Sequence, residues 1–215
     1  MGGMATLLLI HGGLWEDTDA DWFWRRPGVV AGLERRGFTV VAPDRLSRAS
    51  SWADEASHVA SAVRGAVSGA LRADAVTAVG GSFGCAVAAR LALEFPALVE
   101  RMVLAWPAAF GDQFLATRVR AGLARRGAAP QVLGSLLGTG TLPSATDEEL
   151  RTIRVPVAVI PAVPPNPLHG RSTVDGLLRL LPHGTELPGC PEPPRPEFAP
   201  HLESFLAAVT GFVGP

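Results

Sequence analysis

The sequence predicts an α/β domain, a mostly parallel sheet of about six strands with helices on both faces. Three observations carry that expectation. Short apolar runs bounded by Gly or Pro alternate with longer stretches of helical spacing, the pattern of a parallel sheet covered on both sides. The 215 residues, 47% of them hydrophobic and without an internal repeat, suit a single domain with a substantial core. One segment, residues 107–150, is strandless and reads as a small helical cap inserted over one end of the sheet.

In chain order, Thr6–Ile10 is a continuous apolar run ending at His11-Gly12-Gly13, as suits a buried parallel strand. Residues 29–36 read as a helix stopped by Gly37, and 38–42 as a strand halted by Pro43. A long helix is predicted over 52–71, with Asp54, Glu55 and Arg64 turned outward. Residues 75–79 form the next strand, 83–95 an Ala-rich helix ended by Pro96, and Val99–Ala105 a fourth strand. Within the insertion, 111–127 and 131–137 have helical spacing. A strand over 156–160, a helix over 172–181, a last strand after His183 and a helix over 196–213 complete the domain. Two proline-rich stretches, 161–167 and 188–196, follow strands, where ligand sites of such sheets lie.

Composition narrows the chemistry. All 19 basic side chains are arginine, tyrosine is absent, and Asn166 is the single asparagine. Without lysine, Schiff-base and PLP enzymes, phosphate-cradling Walker loops and Ser–Lys dyads are excluded, and so are reductases built on a Tyr–Lys pair. A net charge of −1 with no basic stripe argues against a nucleic-acid partner. The apolar run near the start is about six residues, short of a signal or membrane segment. Two cysteines are too few for a disulfide framework, so a reducing cytoplasm is the expected compartment, with no membrane partner. No cofactor and no metal is expected.

Gly80-Gly81-Ser82-Phe83-Gly84 matches G-x-S-x-G between a predicted strand and a predicted helix. Composition alone gives about 0.14 chance matches, and the strand–turn–helix setting sharpens the signal. The flanking glycines permit a tight turn that pushes Ser82 outward at the top of the sheet. On these residues the chain resembles the α/β-hydrolase superfamily, from that family's third strand onward and without its two antiparallel leading strands. His11-Gly12-Gly13 is similar to the family's HG turn, with His11 structural, and Val40-Val41-Ala42-Pro43-Asp44 to its next strand. The resemblance implies an oxyanion hole made by the amides of Gly13 and Phe83.

It also implies a Ser–His–Asp triad, and here the chain departs from the pattern. The family's D-P-x-H segment reads Asn166-Pro167-Leu168-His169, so Asn166 stands in the acid position. An amide there does not stabilise an imidazolium, and the equivalent exchange in a serine protease costs ~10⁴ in turnover. The family's histidine slot, between Pro188-Gly189-Cys190 and Pro196-Glu197-Phe198, falls on Glu192. Pro191, Pro193 and Pro194 surround Glu192 with apolar surface; burial there would raise its pKa and suit it to acid–base work. His169 is the histidine nearest the acid loop, where the family keeps a loop-anchoring one, and it is a second candidate base. His58, His183 and His201 read as structural or solvated.

Trp15, Trp22, Phe23 and Trp24 fall in the loop after the oxyanion turn, with Trp52 and Trp106 after later strands. Trp15, Trp24 and Trp106 are the expected substrate-binding residues, and an aromatic mouth suits a small apolar or aromatic carbonyl substrate. Arg45 and Arg48 read as solubilising surface charges, and Cys85 as a small, buried, unreactive thiol. Three functions stay open. The first is a rewired enzyme doing cyclase, isomerase or lyase chemistry on a biosynthetic intermediate, through Ser82, Glu192 and the oxyanion donors. The second is an ester, lactone or thioester hydrolase in which His169 or Glu192 activates Ser82. The third is a ligand-binding pseudoenzyme.

Overall fold

The computed structural model describes residues 5–67, 75–111 and 113–214. Six strands, β1 (Thr6–Ile10), β2 (Thr39–Val41), β3 (Val76–Gly81), β4 (Val99–Ala105), β5 (Val157–Ile160) and β6 (Gly184–Glu186), form one sheet in the order β2-β1-β3-β4-β5-β6. All of the pairings between them are parallel. The helices are α1 (Val29–Arg35), α2 (Trp52–Val67), α3 (Gly84–Glu94), α4 (Gln113–Arg125), α5 (Pro130–Leu136), α6 (Asp147–Thr152), α7 (Arg171–Leu180) and α8 (Leu202–Val213). The last four residues of the helix predicted over 52–71 lie outside the described residues, as does position 112 within that predicted over 111–127.

Inner strands such as β1 and β5 are apolar on both faces because both are covered. In β1, Leu8 and Ile10 enter a core with α2 and α3, while Leu7 and Leu9 enter a second core under α1 and α8. Strand order reverses between β1 and β3, so the chain leaves their carboxyl ends in opposite directions and opens a crevice there. His11-Gly12-Gly13 and the Ser82 turn are the segments that follow those two ends.

Three local features differ from the sequence expectation. Asp21–Arg25, read as loop, is a single π-helical turn that buries Phe23 and Trp24. Residues 107–150 hold a third helix, α6, started by a reciprocal cap in which Thr146 Oγ1 accepts from Glu149 N–H and Glu149 accepts from Thr146 N–H. The C-terminal helix opens with a 3₁₀ turn over Pro196–His201, since Pro200 lacks the N–H an α-helix would use there. The insertion is tied to the loop after β1 through Arg126, which donates to the carbonyl of Trp15 at 2.9 Å.

The largest difference concerns Arg45 and Glu55, both expected at the surface. Their side chains are 4% and 2% exposed and form an ion pair at 2.7 Å. Arg45 Nη1 also donates to the carbonyls of His11 (2.9 Å), Gly12 (3.2 Å) and Gly13 (2.8 Å), while the Arg45 N–H donates to His11 Nε2 at 2.9 Å. Glu55 accepts in addition from the N–H of Leu46. The guanidinium thus clamps three successive carbonyls of the glycine turn, and its charge is matched inside the protein. Burial and the neighbouring Arg45 hold the pKa of His11 below its usual value, keeping its ring neutral, with Nδ1–H donating to the Gly12 carbonyl at 2.8 Å. Removing the carboxylate in Glu55→Ala leaves a buried cation unpaired and is expected to cost about 3–5 kcal/mol of stability, read from equilibrium urea unfolding. A loss below about 1 kcal/mol would show that the pair is not the clamp described.

Candidate active site

β3 ends in a turn that only small residues fit. A Cβ on Gly84 would fall on the carbonyl oxygen of Ile10 and 2.7 Å from that of His11, so the start of α3 packs directly on the end of β1. Ser82 itself adopts φ +54°, a left-handed conformation costly for a serine, and is pinned by its N–H donating to the Ala105 carbonyl at 2.9 Å. Cys85 closes the turn from inside, its thiol donating to the carbonyls of Gly80 and Ala105 at 3.2 Å each. Burial pushes that thiol's pKa well above the ordinary value, in keeping with an unreactive packing residue.

The glycine turn after β1 lies against the serine: a Cβ on Gly12 would come 3.0 Å from Ser82 Cβ. Gly13, at φ +89°, carries the chain away. Among the described residues, no backbone carbonyl accepts from the N–H of Gly13 or of Phe83. The Phe83 ring stacks on Trp52 (centroids 6.3 Å apart) and meets Phe110 (5.5 Å), which ties the elbow to α2 and to the insertion.

His169, expected as a loop anchor or an alternative base, reaches the serine. Its Nε2 is 2.9 Å from Ser82 Oγ and its side chain is 5% exposed. Asn166 lies behind it, Nδ2 at 2.9 Å from His169 Nδ1, while Asn166 Oδ1 accepts from the N–H groups of Leu168 (3.0 Å) and His169 (3.1 Å). Burial lowers the His169 pKa, against an opposing pull from Glu192, with Arg195 adding to the lowering. Glu192 Oε2 is 3.8 Å from His169 Nε2. The carboxylate is not alone among its prolines: Arg195 Nε donates to it at 2.9 Å, and its side chain remains 17% exposed.

Two loops converge to make this cluster. Cys190 N–H donates to the Pro161 carbonyl, and the Cys190 carbonyl accepts from Val163 N–H (3.2 Å) and from Trp106 Nε1 (2.7 Å), so the loops after β5 and β6 are stitched together. A cavity of about 140 Å³ opens between them, lined by Val163, Asn166, His169, Glu192 and Arg195. Of the three tryptophans expected to bind substrate, only Trp15 stays at the crevice, held by Nε1 donating to the Ala49 carbonyl at 2.9 Å, with Arg48 over its ring. Trp24 and Trp106 are wholly buried with Phe198 and Phe205 in the core under α8: the π-helical turn Asp21–Arg25 carries Trp24 inward, and the left-handed backbone after β4 turns Trp106 away from the crevice.

Sequence reasoning missed Arg45, Glu55 and Arg195. One signal was available: Glu55 lies on the same helical face as Trp52 and Val59, so an outward carboxylate was inconsistent with the apolar stripe of α2. No group of three or more potential metal ligands occurs among the described residues, and none of their helices is long and apolar enough to cross a membrane.

Known proteins share this architecture. The chain superposes on a putative non-heme bromoperoxidase, BpoC, from Mycobacterium tuberculosis H37Rv with a TM-score of 0.74 and 15% identity, covering 99% of this chain and 93% of the other. A meta-cleavage product hydrolase (CumD) from Pseudomonas fluorescens IP01 gives a TM-score of 0.68 at 17% identity, over 99% and 91% of the two chains. In sequence, the chain is 37% identical over 106 residues to an uncharacterized protein of Mycobacterium tuberculosis and to its counterpart in Mycobacterium bovis. That alignment covers 48% of this chain and 29% of theirs. The sequence model of the alpha/beta hydrolase fold matches residues 5–133. The match spans more than half of the chain and runs through both glycine turns with the strands that carry them, and the chain belongs to the alpha/beta hydrolase fold family.

Proposed function

We propose that this protein is an enzyme that acts at the carbonyl group of a small apolar or aromatic molecule by proton transfer, in a cyclase, isomerase or lyase type of reaction. The observation that carries the reading is the placement of the charges. The acid position behind His169 holds a neutral amide, and the carboxylate, Glu192, stands 3.8 Å from the opposite nitrogen, the one that meets the serine. The substrate carbonyl oxygen accepts from the N–H groups of Gly13 and Phe83. Glu192 removes a proton from the carbon next to the carbonyl; the C–H electron pair forms the C=C bond while the carbonyl π pair moves onto the oxygen as an enolate, and the two amides hold its charge. The proton returns from Glu192 to a different atom in an isomerisation or cyclisation, or a leaving group departs in a lyase reaction. Trp15 flanks the substrate.

Hydrolysis is the second reading, supported by the 2.9 Å Ser82–His169 contact and by the left-handed backbone of Ser82. In it, Ser82 attacks an ester, lactone or thioester carbonyl with His169 as base.

The two readings separate on a fluorophosphonate probe, which labels only an activated serine. Under the proposed function, the folded wild-type protein labels no faster than Ser82→Ala. Rapid labelling that disappears in Ser82→Ala would establish the hydrolase instead.

The acid–base role of Glu192 is testable by exchange of α-protons with deuterated water in a panel of aryl methyl ketones, followed by proton NMR. Wild-type protein accelerates the exchange of at least one member, and Glu192→Gln lowers that rate by about 10²–10⁴. An unchanged rate in Glu192→Gln removes the residue from the chemistry.

A further inference from the structure

We infer that Asn166 locks the proton of His169 onto Nε2, and that Ser82 therefore presents its hydroxyl as a hydrogen-bond donor to the substrate carbonyl and not as a nucleophile. The inference rests on the carbonyl-directed reading of the site and adds a role for its serine.

The argument starts from the Asn166 amide. Its Oδ1 sits 3.0 Å from Leu168 N and 3.1 Å from His169 N. Two N–H donors face an oxygen; turning the amide over would set an NH₂ group against both of them. The orientation is thus fixed by the backbone, and Nδ2 points at His169 Nδ1 from 2.9 Å. An amide nitrogen has no lone pair to offer, so this contact requires Nδ1 to be the acceptor. A neutral imidazole with a bare Nδ1 carries its hydrogen on Nε2.

Nε2 is the atom 2.9 Å from Ser82 Oγ, and its hydrogen is directed at that oxygen. Glu192 Oε2, 3.8 Å from the same nitrogen, suits an N–H there and would repel a lone pair. The serine's own hydrogen then points away from His169 and can reach an acceptor held by Gly13 and Phe83, making a third donor. General-base catalysis is closed twice over. Nε2 has no lone pair for the serine proton, and a second proton on Nδ1 would face the Asn166 NH₂ group. Nor does His169 pass its hydrogen on, since that would leave an imidazolate; proton transfer falls to Glu192. Asn166 is accordingly a positioning residue, acting through His169. His11 carries the opposite arrangement in the same molecule, with Nδ1–H donating to the Gly12 carbonyl and Nε2 accepting from Arg45 N–H.

Long-range ¹H–¹⁵N correlation spectra of the labelled protein read the two nitrogens directly, with the His169 signals assigned by their loss in His169→Gln. The expected spectrum has protonated Nε2 and bare Nδ1 at His169, and the reverse at His11. A protonated Nδ1 at His169 overturns the inference. In Asn166→Asp, one carboxylate oxygen keeps the two backbone N–H groups and the other accepts from Nδ1–H, which moves the proton. The variant is expected to show the switched tautomer and to label with the fluorophosphonate at least ~10²-fold faster than wild type, given that the opposite exchange costs ~10⁴ in a serine protease. A folded Asn166→Asp protein with the switched tautomer and no faster labelling would refute the claim that proton placement silences Ser82. Loss of the Glu192-dependent exchange reaction, with the wild-type tautomer as expected, would instead defeat the proposed function and leave the role of Asn166 standing.

Discussion

The glycine turn beside Ser82 depends on a buried cation. An oxyanion hole is made of backbone N–H groups, and the direction of an N–H is set by the peptide plane and hence by the carbonyl on its other side. Arg45 holds three of those carbonyls, on His11, Gly12 and Gly13, with a single nitrogen. A solvated arginine would hold nothing in place, because each contact would exchange with water. Burial makes the clamp rigid, and burial is tolerable only because Glu55 neutralises the charge. The end of β1, the loop after β2 and the first turn of α2 therefore stand or fall together.

The serine side is built by the opposite means, from exclusion of side chains. Gly80, Gly84 and Gly12 leave no room for a Cβ, which lets α3 sit against the carbonyl end of β1 and brings the two turns to either side of one crevice. Ser82 is the exception, forced through a left-handed conformation and retained there by its bond to Ala105. Strain of that kind persists only where the surroundings over-determine it. Here they do so through the Cys85 thiol, the Trp52–Phe83 stack and the β3–β4 ladder.

The fold was legible because its signals are local. Thr6–Ile10 and Val99–Ala105 announce themselves as apolar runs with defined stops, and the glycine pattern around Ser82 marks its own turn. Asn166 was legible too, as an amide at the place where the resembled family keeps a carboxylate. What stayed hidden depends on distance in the fold. The partner of Arg45 is chosen by how α2 packs on β1, which no spacing in the chain reveals. Trp24 and Trp106 sit in segments that follow strands like any mouth residue, yet a π-helical turn at Trp24 and φ +53° at Trp106 send both into the core. His169 looked like an anchor because the family's own histidine comes from the other loop. With Glu192 in that place, the serine is left to the nearest ring.

That exchange of positions alters the electrostatics of the site more than its shape. A Ser–His–acid site keeps its anion behind the imidazole, where it rewards formation of an imidazolium as the serine gives up its proton. Here the anion stands in front, paired with Arg195, and the group behind is a neutral donor. The same side-chain positions then favour a neutral histidine and a protonated serine, with the Glu192 carboxylate held by Arg195. On the inferred tautomer such a set does not generate an alkoxide. In the proposed reaction it would polarise a carbonyl through neutral donors and leave a base beside it, and the residues at 166 and 192 then make chemical sense as a pair and not as two separate losses.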